Sequence, residues 1–324
     1  MPSAENAQMQ YEAGQTAFAM SALTNSGDAT TFTSSATLWS RKAGFAPVVR
    51  PNGLISGGAI AVTGTNNVVS VAALTCNLNG TVTSVNAGNA TITRPASNVS
   101  KVCSITIDNS GAIAVVAGTD GASAAFSETR AAAGGPPLIP TTSIEIGQVR
   151  VTTSTAAVIT AAQIFTVPGL HVERADSPLF DINYAAGTVT FAGALPLIHT
   201  GTVPKAVHAS YASPIFAAIT QATNFVMPET SYSLTSTPIY GGAIASSTST
   251  LNQGSFTAFL NNGVNDPLVQ LKGQTLWFKF FPDRYQSPYM LTQGKLGLTR
   301  AFDPAANIQS ACTISAESAG QEVG

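Results

Sequence analysis

Leu276-Trp277-Phe278-Lys279-Phe280-Phe281 carries a bulky side chain at every position. Side chains alternate between the faces of a strand, so Leu276, Phe278 and Phe280 share one side. Trp277, Lys279 and Phe281 share the other. With both faces bulky, the segment predicts a central strand, or one covered by a partner subunit, instead of a strand half in water. Alternation continues nearby in Leu296 with Leu298, and in Cys312 with Ile314 against Thr313 and Ser315. These patterns predict a mainly β chain.

The same period extends upstream. Cys103, Ile105 and Ile107 share one parity against Val102, Ser104 and Thr106, a half-buried strand pattern. Asn109-Ser110-Gly111 then turns the chain into a second alternating run at Ile113 and Val115. Further turns at Asn66-Asn67, Asn79-Gly80 and Asn86 to Asn89 recur at the spacing of an all-β domain. Ile144 and Ile146 fall out of phase with Val149 and Val151, and a bulge near Gly147-Gln148 would return both pairs to one face. Residues 183–191 read as a strand, a turn at Ala186-Gly187 and a second strand. Ser213-Pro214 suits the N-cap and first position of a short helix over residues 213–222, with residues 155–164 as its rival.

Punctuation divides the chain. Gly134-Gly135-Pro136-Pro137-Leu138-Ile139-Pro140 frees the backbone and then stiffens it, which suits a connector. The expected organisation is an N-terminal arm or extended loop over residues 1–47, a small β-sandwich over 48–133, a connector at 134–143 and a β domain over 144–324. The arm is expected to complete that last domain.

Charge is scarce. Only 9% of the 324 residues are Asp, Glu, Lys or Arg, against about 25% in an ordinary soluble domain. Ala, Ser, Thr and Gly take their place, and a surface so poor in charge is weakly protected against self-association. The net charge of -2 and the absence of basic runs give no footprint for nucleic-acid binding. No stretch of about 20 apolar residues suits a membrane helix. The polar N-terminus lacks the basic and apolar regions of a signal peptide. Cys76, Cys103 and Cys312 are sparse, odd in number and without CxxC spacing, which suits core packing in a reducing compartment.

The search for chemistry finds little. His171, His199 and His208 lack metal-ligand spacing, although His199 and His208 flank a turn at Gly201. Asp176 and Asp181 flank Pro178 and read as loop carboxylates. The pairs Gly57-Gly58, Gly134-Gly135 and Gly241-Gly242 belong to no phosphate-binding motif. Asn79, Asn89 and Asn98 head glycosylation sequons and read as turn residues. No catalytic set, cofactor or metal is expected, so the chain is not read as an enzyme. The remaining distinctive cluster is Asp283-Arg284-Tyr285 after the aromatic strand. Trp, Tyr and Arg concentrate in interface hot spots, so Trp39, Arg41, Trp277, Phe281, Arg284 and Tyr285 form the candidate subunit-interface set. An aromatic core strand ending in a capped turn is the compatible alternative for the C-terminal members.

Several phrases together resemble the major tail proteins, or tail tube proteins, of long-tailed bacteriophages. They are Leu38-Trp39-Ser40-Arg41, Arg50-Pro51-Asn52-Gly53-Leu54, Gly135-Pro136-Pro137-Leu138-Ile139-Pro140, Leu276-Trp277-Phe278-Lys279-Phe280 with Pro282-Asp283, and Gln293-Gly294-Lys295-Leu296-Gly297. The resemblance implies a β-sandwich or barrel with one flanking helix and a long loop reaching a neighbouring ring. It implies hexameric rings stacked into a tube for DNA in the virion, assembled in the bacterial cytoplasm. The implied partners are further copies and the tape measure, terminator and distal tail proteins, with no membrane and only transient passage of DNA. Residues 48–133 exceed a minimal tube subunit. The rival readings are a baseplate, fibre or capsid decoration subunit, and a secreted adhesin or surface-layer protein.

Overall fold

The computed structural model describes residues 4–304 and 306–324, about half of which lie in strands of several antiparallel sheets. Two compact units divide the chain. The first comprises Met1–Ala17, Leu38–Pro47 and Tyr211–Gly324; the second comprises Phe18–Thr37 and Val48–Ser210.

In the first unit the order of neighbouring strands is Ala222–Val226, Gly254–Phe259, Gln309–Ala316, Tyr289–Ala301, Thr275–Phe281 and Gln8–Ala22, followed by Val207–Ile219. The aromatic strand Thr275–Phe281 is central, with Tyr289–Ala301 on one side and Gln8–Ala22 on the other. Leu276 and Phe278 join Met9, Phe256, Leu296 and Ile314 in one core, and Trp277 is buried on the opposite face. The alternation read at Leu296, Leu298, Cys312 and Ile314 is present as inward-facing residues.

The second unit packs short sheets around a core of Val, Ile, Leu and Cys from residues 54–172. Lys101–Ile107 lies between Ile113–Ala117 and Ile144–Val151. Ile105 pairs with Gly147 and Thr106 with Glu145, so Ile146 is an extra residue. This is the bulge required by the change of phase, and Ile144, Ile146, Val149 and Val151 all reach the core. The hairpin read in residues 183–191 is formed by Phe180–Asn183 and Thr188–Phe191. All three cysteines are free and buried, and burial pushes the Cys76 thiol up to about 11.

Four expectations are corrected. Residues 1–47, of which 1–3 lie outside the described residues, are not irregular throughout: Gln8–Ala22 is a long strand whose Met9 and Tyr11 are core residues, and the irregular part is confined mainly to residues 34–47. The 134–143 segment is no inter-domain connector. The Gly134 N–H donates to Thr119 and the Ile139 N–H to Ile198, pinning it inside the second unit. Residues 144–210 also belong to that unit, since Ile144–Val151 completes its sheet. The helix expected over residues 213–222 is instead the end of strand Val207–Ile219, where pairing outweighs a weak capping signal. The α-helix among the described residues is Pro267–Gln270, with proline in its first turn, and residues 155–164 hold no helix longer than the 3-10 turn Ala161–Gln163.

The half-buried reading of Lys101–Ile107 also fails on its polar side. Ser104 and Thr106 are buried, because Ser104 Oγ donates to Glu145 Oε1 at 2.5 Å and Arg130 pairs with the same carboxylate. Arg150 beside them is gripped at both nitrogens by Glu128, at 2.5 and 2.8 Å, with its guanidinium over the Phe126 and Phe165 rings. Residues 126–130 thus strap a polar face that would otherwise meet water.

Candidate functional site

The most exposed element of the first unit is a hairpin of Thr230–Ile239 and Gly242–Leu251, paired along ten positions from Thr230 with Leu251 to Ile239 with Gly242. Ser, Thr and alternating apolar residues favour the extended pairing. Gly241, at φ +88°, closes the two-residue turn in a conformation that glycine adopts without strain. At 3.4 Å per residue the hairpin is about 34 Å long. Every residue from Ser231 to Thr250 is exposed. One face presents Tyr232 and Leu234 with Ala243 and Ala245; the other is a Ser/Thr ladder ending at Ile244 and Ile239, with Ser233 and Thr248 hydroxyls 2.7 Å apart.

Leu234 is 74% exposed and Ile244 60%. No Asp, Glu, Lys, Arg or His lies between Glu229 and Asp266. A two-stranded hairpin is marginally stable alone in water, and this one lacks the charges that normally protect exposed strand edges.

The candidate interface residues separate into two groups. Trp39 is fully buried and Trp277 nearly so; the Trp277 indole N–H donates to the Trp39 carbonyl at 2.9 Å, and Trp39 stacks on Tyr211 with centroids 4.7 Å apart. Both tryptophans are therefore core residues of their own chain, a correction to their assignment as subunit anchors. Phe281 is half-buried against Tyr289, and Arg41 is paired with Glu317 at 2.7 Å. Arg284 and Tyr285 do lie on the surface, with Tyr285 76% exposed. Arg284 lines a groove of about 660 Å³ together with Glu5, Asn224, Phe225 and Phe280. Phe225 and Phe280 stack there at 4.5 Å.

The hairpin was missed in the sequence because its strands are mostly Ser and Thr, which usually signal loops. The turn pair Gly241-Gly242 and the alternating Tyr232 and Leu234 were the available signal.

The remaining chemical candidates do not converge. Asp176 is bound by Arg174 at 2.8 Å, which holds its carboxyl below the usual range, and Asp181 lies on the strand Phe180–Asn183. His199 bonds the Ser143 carbonyl, while His208 packs near Gly80. Burial lowers the pKa of both histidines and of His171. Among the described residues no group of three or more His, Cys, Asp or Glu is arranged to hold a metal ion, and no helix is long and apolar enough to cross a membrane. Comparisons with protein-family models, curated proteins and solved structures find no match to this chain.

Proposed function

We propose that this chain is a structural, non-catalytic subunit that assembles with copies of itself, and that its exposed hairpin is the arm by which one copy holds the next. The observation that carries the reading is the charge-free hairpin: its strands satisfy each other but leave Tyr232, Leu234, Ile239, Tyr240 and Ile244 in water. Burying aliphatic side chains of this size on a neighbour contributes about 1.5–3 kcal/mol each. The absence of charge spares such burial the largest desolvation penalty, that of an ionised side chain.

The resemblance to phage major tail proteins extends the proposal to stacked, hexameric rings of a tail tube in the virion, a DNA conduit that also meets tape measure, terminator and distal tail proteins. A hairpin about 34 Å long suits the reach to an adjacent ring, and the slightly acidic net charge of -2 suits a wall that must not hold DNA.

Negative-stain microscopy of the purified full chain over a range of concentrations tests the reading. Rings or tubes with a central hole are expected for the natural sequence, and dispersed monomers for Leu234→Lys with Ile244→Lys. Monomers of the natural chain at high concentration overturn it. Surface arrays or trimers without a hole would point to a decoration or fibre subunit instead.

A further inference from the structure

The second unit holds a cavity of about 250 Å³ that the assembly reading does not use. Its walls are largely apolar, with Leu170, Val172, Pro178, Pro196 and Ile198, and its rim is open at Leu170, which is 64% exposed. Three charged side chains of the lining, Glu145, Glu173 and Lys205, are more than nine-tenths buried, in a chain that carries few charges anywhere.

Their bonds leave a definite remainder. Glu145 is neutralised by Arg130 and accepts from Ser104 and Gln148. Glu173 Oε2 accepts the Glu145 N–H at 2.9 Å and stands 3.6 Å from His199 Nε2, whereas Oε1 meets no donor among the described residues. Lys205 Nζ donates to the Arg174 carbonyl and, at 3.1 Å, to the Ser177 carbonyl; its third hydrogen has no acceptor there, and no ion pair joins it to Glu173. An acceptor and a donor with bonding capacity left over therefore line the same largely apolar cavity.

Arg174, the fourth charge of the lining, is held by Asp176 at 2.8 Å, so Glu173 and Lys205 select the ligand. A lone carboxylate would gain Lys205 but face Glu173 in a site of low polarity. A lone ammonium would gain Glu173 but face Lys205. A neutral amide meets both groups without an added charge, since its carbonyl accepts and its N–H donates. We propose that the cavity binds a small aliphatic amide, with its carbonyl on Lys205 Nζ, its N–H on Glu173 Oε1 and its alkyl group against Leu170, Val172 and Ile198.

Calorimetric titration of the full chain at a pH between about 7 and 8, where the Glu173 carboxylate and the Lys205 ammonium coexist, with isovaleramide, isovalerate and isoamylamine tests this assignment. One saturable site is expected for isovaleramide, with the two charged probes at least about tenfold weaker. Glu173→Gln removes the carboxylate and turns an amide N–H toward the cavity, so the preference should swing by at least about tenfold toward isovalerate. Ala194→Trp, an exposed change at the cavity wall, should abolish binding while the melting temperature stays near that of the natural chain. It keeps the test intact if the buried variant folds poorly. Failure of isovaleramide to saturate, a preference of the natural chain for either charged probe, or unchanged binding by Ala194→Trp each overturns the proposal.

Discussion

Glu12 shows how a single carboxylate replaces a missing stretch of sheet. Gln8–Ala22 and Thr275–Phe281 pair as far as Tyr11 with Phe278, and there the Glu12 side chain takes over. Its Oε2 accepts the Trp277 N–H at 3.1 Å, and its Oε1 accepts from Ser40 Oγ and Gln15 Nε2. Glu12→Ala would orphan a buried N–H and a buried hydroxyl, at a cost of about 2–4 kcal/mol in chemical denaturation. A second residue-scale effect belongs to Glu173 and Lys205. Burial raises Glu173 to about 7 and lowers Lys205 to about 8. The Glu173 contribution is full below its unfolded value near 4.3 and is lost as pH rises through about 7. The Lys205 contribution is full above its unfolded value near 10.4 and is lost as pH falls through about 8. The pair should therefore give a shallow stability minimum between about 7 and 8, a few degrees deep in a melting-temperature profile. Glu173→Gln should flatten the acid limb and, by removing a charge that raises Lys205, extend the alkaline limb to lower pH. None of this was legible in the sequence, because the partners of Glu145, Glu173 and His199 lie 41, 28 and 56 residues away.

Elements whose burial follows a local period were the readable part. Ile144–Val151 disclosed its bulge through a change of phase, and Thr275–Phe281 its central place through two bulky faces. Val207–Ile219 was misread because a Ser-Pro pair is a local signal, while the neighbouring strand that decides the outcome comes from the N-terminus. The hairpin is the opposite case: its period is present, but no face of it is buried within its own chain. Replacing residues 232–249 by a short glycine-containing turn should abolish assembly in sedimentation velocity. Circular dichroism should record a melting temperature within a few degrees of the natural chain, because the deleted residues are exposed and belong to neither core.

Over the whole molecule, two separate apolar clusters replace the domain plan drawn from punctuation. A Gly/Pro run marks a change of backbone character, but it cannot tell whether hydrogen bonds later fasten the run to its own unit. Differential scanning calorimetry should resolve two transitions. Ile105→Ala should lower one of them and Phe278→Ala the other, each by the equivalent of about 3 kcal/mol.

The uncharged span around the hairpin has one more consequence, which concerns time. Trypsin finds no site between Lys205 and Lys272, so the most exposed element of the chain is invisible to that protease. The same lack of lysine and arginine removes the gatekeepers that delay adventitious strand pairing. Under the proposed assembly, a newly made chain should be at greatest risk before it meets other copies, and the yield of intact protein should rise with the rate of assembly.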